Sequence, residues 1–166
     1  NNTNEALVGG PDNVPFNFSY EKKSTLFEAG HNGYVSALGL THVRRLNLSH
    51  TGSTLMGEDM LLALEQKDRR LFEIMLDRLG WEGIDYQVRF HIHPDVLLTL
   101  DMGGMAVSMK LKNGETWVFR HSSKAELSIK PSTYFDSSRL KPRVSNQIVL
   151  SHKAIEHASS IRWSLT

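Results

Sequence analysis

The chain has 166 residues, enough for one domain with a sizeable core. With 40% apolar and 22% charged residues and a net charge of +1, its composition gives no support for bulk attraction to nucleic acid or to a membrane surface. Cysteine is absent, which excludes disulfides and thiolate chemistry, and no apolar run reaches the length of a membrane-spanning helix.

The sequence starts at Asn1-Asn2-Thr3-Asn4 without methionine and without a signal-peptide pattern, as expected of a mature product or an excised fragment. Residues 1–19 are rich in Asn, Gly and Pro, and Gly9-Gly10-Pro11-Asp12-Asn13 is turn chemistry. An irregular lead-in is expected there, with one short strand near Ala6–Val8. Residues 24–29 suit a strand ending at Gly30. Asn32-Gly33 then signals a tight turn before Tyr34-Val35. His31, beside that turn, has two readings: it satisfies local backbone groups, or it binds a sugar, a metal or another domain.

Leu40–Leu48 is the next strand, with Val43 on one side and His42 and Arg44 on the other. It reads as a half-buried strand with a basic face. A turn near Gly52 leads to Thr54–Met56 and Met60–Leu64, so residues 41–48 and 54–64 are expected to pair as a hairpin. An extended backbone sends the adjacent Glu58 and Asp59 to opposite faces. Arg44-Arg45 reads as a solvated strand edge or as a guanidinium site for an acidic sugar, since the planar donor fork suits a carboxylate or sulfate.

Residues 65–80 change period. Leu71, Phe72, Met75, Leu76 and Leu79 share a helical stripe, Asp68 is a candidate N-terminal cap and Gly80 a stop. The stripe is expected to pack on the sheet. Tyr86–His93 returns to period two, with Tyr86, Val88, Phe90 and Ile92 on one face and Gln87, Arg89, His91 and His93 on the other. His91 and His93 are weak metal candidates, because a third ligand has no fixed place in the sequence, and a structural or substrate-facing role stands beside that reading. Further strands are expected at 96–100, 105–111, 116–120, 125–129, 132–135, 144–150 and 161–165. A turn at Asp101–Gly104 and a hairpin at Lys112–Glu115 separate some of them. The fold class is therefore all-β, an antiparallel β-sandwich with one short inserted helix, expected as a single domain over 1–166. There is no Gly-x-Gly-x-x-Gly, phosphate loop, nucleophile elbow or His-Glu-x-x-His.

Five stretches carry a resemblance: Gly30-His-Asn-Gly-Tyr34, Gly39-Leu-Thr-His-Val-Arg-Arg-Leu-Asn-Leu48, Gly57-Glu-Asp59, Arg89-Phe-His-Ile-His-Pro94 and Gln147-Ile-Val-Leu150. In this order they resemble the carboxy-terminal β-rich domain of heparinase II/III-like proteins, over roughly residues 4–165. The resemblance implies a parent with a helical toroid before the sandwich, which cleaves uronate-containing glycans by β-elimination. A base takes the C5 proton while the carboxylate is neutralised. It places a catalytic tyrosine in the helical domain and a metal-associated His/Asp cluster in early sandwich strands, and in related full-length chains an Ala-His-Ser/Asn-Thr-like segment lies just before the stretch matching Asn1–Glu5. No catalytic residue is carried over to this sequence, and Tyr34, His91 and His93 do not take those roles. A divalent metal such as zinc would sit in the parent outside this stretch.

The implied function is a supporting domain, inactive alone, with a non-catalytic carbohydrate-binding or interdomain structural module as the alternative. His31, Tyr34, His42, Arg44 and Arg45 are the substrate-binding candidates. The implied partners are the amino-terminal helical domain and an acidic polysaccharide, with no nucleic acid and no membrane insertion. A periplasmic or cell-envelope location follows from the resemblance alone.

Overall fold

Tyr86, Val88, Phe90 and Ile92 alternate with polar neighbours, and the strand they form turns its apolar side inward, as period two requires. The same rule builds most of the chain. The computed structural model describes residue 11 and residues 13–122, 124–138 and 140–166. In order the elements are β1 (Phe16–Tyr20), β2 (Ser24–Tyr34), α1 (Val35–Leu38), β3 (Leu40–Ser49), β4 (Leu55–Leu62), α2 (Gln66–Arg78), β5 (Ile84–Ile92) and β6 (Leu97–Asp101). They continue with β7 (Ala106–Lys110), β8 (Thr116–His121), β9 (Glu126–Tyr134), β10 (Arg143–Ala154) and β11 (Ala158–Leu165), and a 3-10 turn at Met102–Gly104 joins β6 to β7.

All the pairings are antiparallel. They make an eight-stranded sheet in the order β1-β2-β3-β4-β11-β8-β7-β6 and a three-stranded sheet in the order β5-β10-β9. Val107, Phe119, Ile161 and Trp163 of the large sheet pack against Val88, Leu127, Ile148 and Leu150 of the small one. Phe90 lies edge-on to Trp163, with ring centres 4.8 Å apart. This is the expected sandwich, held by burial worth about 1.5–3 kcal/mol per large side chain.

Helix α2 plugs one end. Phe72 and Leu76 join Leu40, Leu61, Ala63, Ile84 and Ala154 in a second buried cluster. The expected helix is therefore present, but Asp68 is not its cap. Glu65 is the N-cap, and Asp68, at the third helical position, accepts from the Glu65 N–H at 3.2 Å. Gly39 closes α1 at φ +69°, and a Cβ there would lie 2.2 Å from the Asp68 carbonyl oxygen. That close approach seats the short helix on α2.

Several expectations need correcting. The lead-in contains β1, whose Phe16, Phe18 and Tyr20 alternate across a run flanked by Pro and Asn. The short strand expected at Ala6–Val8 lies outside the described residues. Asn32-Gly33 is not a hairpin turn but an irregularity inside β2, and α1 with Gly39 makes the reversal. The two runs around Pro131 are one strand, β9. Proline is tolerated there because β9 is a sheet edge, and the Pro131 carbonyl accepts from Gln147 Nε2 at 2.9 Å. β10 runs on to Ala154, past the expected strand end at Leu150.

The two sheets are unequal, eight strands against three. Phe18 pairs with Phe27, and Phe27 with Leu46, which packs on the core, so all three face inward. Phe16, Phe18 and Tyr20 are nevertheless exposed, because the small sheet does not reach them. The inner face of the large sheet thus runs on past its cover, and the candidate site lies along that margin.

Candidate functional site

Antiparallel register brings the site together. His31 on β2 pairs with His42 on β3, and Arg44 on β3 pairs with Asp59 on β4. Asp59 is 2% exposed. A buried carboxylate must be fully hydrogen-bonded to stay ionised. Arg44 Nε donates to its Oδ1 at 2.8 Å, His42 Nε2 approaches the same oxygen at 2.9 Å, and Trp163 Nε1 donates to Oδ2 at 2.9 Å. Burial pushes the Asp59 pKa up, but the hydrogen bonds from His42, Arg44 and Trp163 and the Arg44 charge outweigh it, so the carboxyl lies below its usual range. Gly57 makes room for this: a Cβ there would lie 2.2 Å from the Trp163 ring.

The chain of contacts continues outward. His42 Nδ1 is 3.2 Å from His31 Nε2, and the Gly33 N–H donates to His31 Nδ1 at 3.2 Å. Directionality follows from the one fixed donor. Gly33 makes His31 Nδ1 an acceptor, so the proton of neutral His31 sits on Nε2 and points at His42 Nδ1. The proton of neutral His42 is then on Nε2 and points at Asp59. Burial and the neighbouring His42 both lower the pKa of His31.

His31, His42, Arg44 and Asp59 line a cavity of about 360 Å³ between the margin of the large sheet and β5. Tyr34, Asp85, Tyr86, Gln87 and Arg89 complete its polar lining, and Arg89 Nη2 donates to Gln87 Oε1. Burial raises the pKa of Tyr86, whose hydroxyl lies 3.0 Å from Ser159 Oγ. Arg44 also lies over the Phe90 ring, 5.6 Å from its centre.

Of the candidates read from the sequence, His31, Tyr34, His42 and Arg44 therefore share one cavity. Arg45 does not. It points to the outer face, where its guanidinium meets Glu28 Oε2 at 2.6 Å and Glu58 Oε2 at 3.8 Å. His42 and Arg44 share the inner face of β3, as the alternation predicts, and Arg45 lies on the other side. His91 and His93 lie apart from the cavity lining. His91 Nδ1 is 2.8 Å from Ser132 Oγ, and His93 accepts from the Asp95 N–H at 3.2 Å and packs edge-on to Tyr134. Among the described residues, no group of three or more His, Asp or Glu side chains is placed to hold a metal ion. His31, His42 and Asp59 stand in line, each nitrogen aimed at its neighbour rather than at a common point, so no metal step is drawn through them.

Asp59, Trp163, Tyr86 and Arg89 are not among the substrate-binding or metal candidates read from the sequence. The signal for Asp59 was present in the expected hairpin. Arg44-Arg45 runs antiparallel to Glu58-Asp59 in matching register, which puts one ion pair on each face.

Residues 2–164 match the family model described as heparinase II/III-like, C-terminal. The chain is 35% identical over 141 residues to FtsZ-localized protein C of Caulobacter vibrioides (strain NA1000 / CB15N), covering 82% of this chain and 22% of that protein. The fold is similar to that of heparan sulfate lyase HepC from Pedobacter heparinus, with TM-score 0.69 and 8% identity over 92% of this chain and 21% of that one. It is likewise similar to a heparinase III structure, with TM-score 0.66 and 11% identity over 92% of this chain and 21% of that one. The chain spans about a fifth of the length of these relatives. It belongs to the heparinase II/III-like family, as a carboxy-terminal domain of that family.

Proposed function

We propose that this domain supports a parent polysaccharide lyase that cleaves uronate-containing glycans by β-elimination. In this reading the domain packs beside an amino-terminal helical domain and presents the Arg44 cavity toward an acidic chain. The observation that carries the reading is that cavity, lined by Arg44, Arg89, His31 and His42 on an exposed margin of a sandwich of this family. β-Elimination needs a base at C5 and a group that neutralises the carboxylate, held together on one substrate. Within this cavity both histidines are engaged, His31 with Gly33 and His42 with Asp59, so neither stands free as a base. The isolated domain is accordingly inactive, and the base comes from the remainder of the parent. The test is release of unsaturated uronate ends from polyuronides by the full-length parent, by the parent lacking residues 1–166, and by the domain alone. Turnover by the first only supports the proposal. Turnover by the isolated domain, or none by the full-length parent on any uronate glycan, sinks it.

A second reading rests on a different observation. The 35% identity is to a protein named for its localisation to FtsZ, whereas identity to the lyases is 8–11%. On that reading the domain is a non-catalytic carbohydrate-binding or interdomain module, and the full-length parent binds without turnover.

A further inference from the structure

The formal charges around the His31–His42 pair cancel. From β3 comes Arg44 and from β4 Asp59, already bonded to each other. From β5 come Arg89 and Asp85, and Asp85 has Lys153 of β10 at 3.9 Å on its other side. Tyr34 packs on His31 at 5.3 Å, Tyr86 is held neutral by burial, and Trp163 of β11 contributes only an N–H. While both imidazoles are neutral, the cavity offers an entering anion the Arg44 guanidinium but no net charge, since the Arg89 guanidinium is held by Gln87 on the outer side of β5.

The histidines have no spare nitrogen either. A proton added at His31 Nδ1 meets the Gly33 N–H head-on, and one added at His42 Nδ1 meets the His31 N–H. Each ring can accept a proton only by giving up a bond, and the displaced N–H then needs a new acceptor. A carboxylate in the cavity supplies both missing parts: the acceptor, and the negative charge that offsets the added proton. The donors left on Arg44 beyond its Nε–H are of the kind that grip such a group.

We infer that the cavity is a proton-coupled carboxylate site, in which a uronate and one proton on the His31–His42 pair enter together. The inference rests on the acidic-glycan reading only for the identity of the anion. Binding then strengthens as pH falls through the range in which the pair titrates, because one proton is taken up for each anion bound. Linkage of one proton sets the limit at about a tenfold change in affinity per pH unit above that range.

The test uses the 166-residue chain with galacturonate as probe and galactose as its neutral counterpart. Side-chain nitrogen shifts should first place the neutral protons of His31 and His42 on Nε2, and either ring found as the Nδ1–H tautomer overturns the inference. Calorimetry at about pH 5.5 and about pH 7.5, either side of the ordinary histidine range, in buffers of different ionisation enthalpy, then reads affinity and proton uptake. The expected result is roughly tenfold weaker galacturonate binding at the higher pH, proton uptake on binding, shifts at both histidines and no galactose binding. Equal affinity at both pH values without proton uptake overturns the coupling while leaving the acidic-glycan reading in place. No binding at either pH overturns the site itself, whereas the lyase assay on the parent decides the reading separately. Replacing both rings, His31→Gln together with His42→Gln, should make binding independent of pH, because either ring alone can still take the proton. Glutamine is chosen because its amide N–H can still donate to the buried Asp59. Retained pH dependence in that variant overturns the inference.

Discussion

Two neighbouring carboxylates, Glu58 and Asp59, sit on the same strand and pair with two neighbouring arginines, yet they live in different media. On the outer face Glu28, Arg45, Glu58 and Arg162 form a ladder across β2, β3, β4 and β11, with Arg162 Nε at 2.8 Å from Glu58. Arg45 is 46% and Arg162 71% exposed, so water and salt screen the ladder. On the inner face Asp59 is buried and receives three donors from Arg44, His42 and Trp163. The comparison teaches that burial, and not the residue pair, decides whether an Arg–carboxylate contact matters to stability. An exposed pair can break and rehydrate, while a buried acceptor that loses its partners, or partners that lose their acceptor, find no substitute.

Replacing the inner carboxylate should give the largest effect. Asp59→Ala leaves Arg44, His42 and Trp163 without their acceptor and is expected to cost about 3–5 kcal/mol, read as a lowered urea midpoint. A loss no larger than that of an outer-face variant would erase the distinction between the faces. Gly57→Ala comes next. Its Cβ would lie 2.2 Å from the Trp163 ring that donates to Asp59, so a cost of about 1–3 kcal/mol is expected, with a shift in tryptophan fluorescence.

Acid should separate the faces more gently. The folded pKa of His31 lies below the ordinary histidine value, so the unfolded chain takes up the proton first and stability falls as pH drops below about 6.5 toward the folded value. Asp59 is also depressed, so its contribution is whole above about pH 3.9 and is lost as pH falls on toward its folded value. Urea midpoints measured from about pH 8 to about pH 4 should fall in the wild-type chain, and His31→Gln should flatten the upper part of that decline. The smallest effect belongs to the outer face. Arg45→Ala should cost about 0.2–1 kcal/mol, and the difference should shrink at high salt. A cost that persists in high salt would show that the ladder is not screened.

Much of the fold was legible because period two is a local signal. The alternation in Tyr86–His93, the hairpin of β3 with β4 and the apolar stripe of α2 could all be read from neighbours in sequence. What failed was equally local. Phe16, Phe18 and Tyr20 stood among turn-forming residues, and Pro131 looked like a break until its strand proved to be an edge.

The sequence by itself determined that Glu58 and Asp59 face opposite ways, since an extended chain alternates its side chains. It could not say which of them would be buried. That was decided by the three-stranded sheet, assembled from residues 84–92, 126–134 and 143–154, which packs on one side of the large sheet. Alternation is fixed by backbone geometry between neighbours, whereas the identity of the inner face depends on contacts far apart in the chain. By covering the side that carries Asp59, Arg44 and Trp163 and stopping short of β1, the small sheet made a hydrogen-bonded network of one ion pair and left the other on the outer face with its arginine exposed.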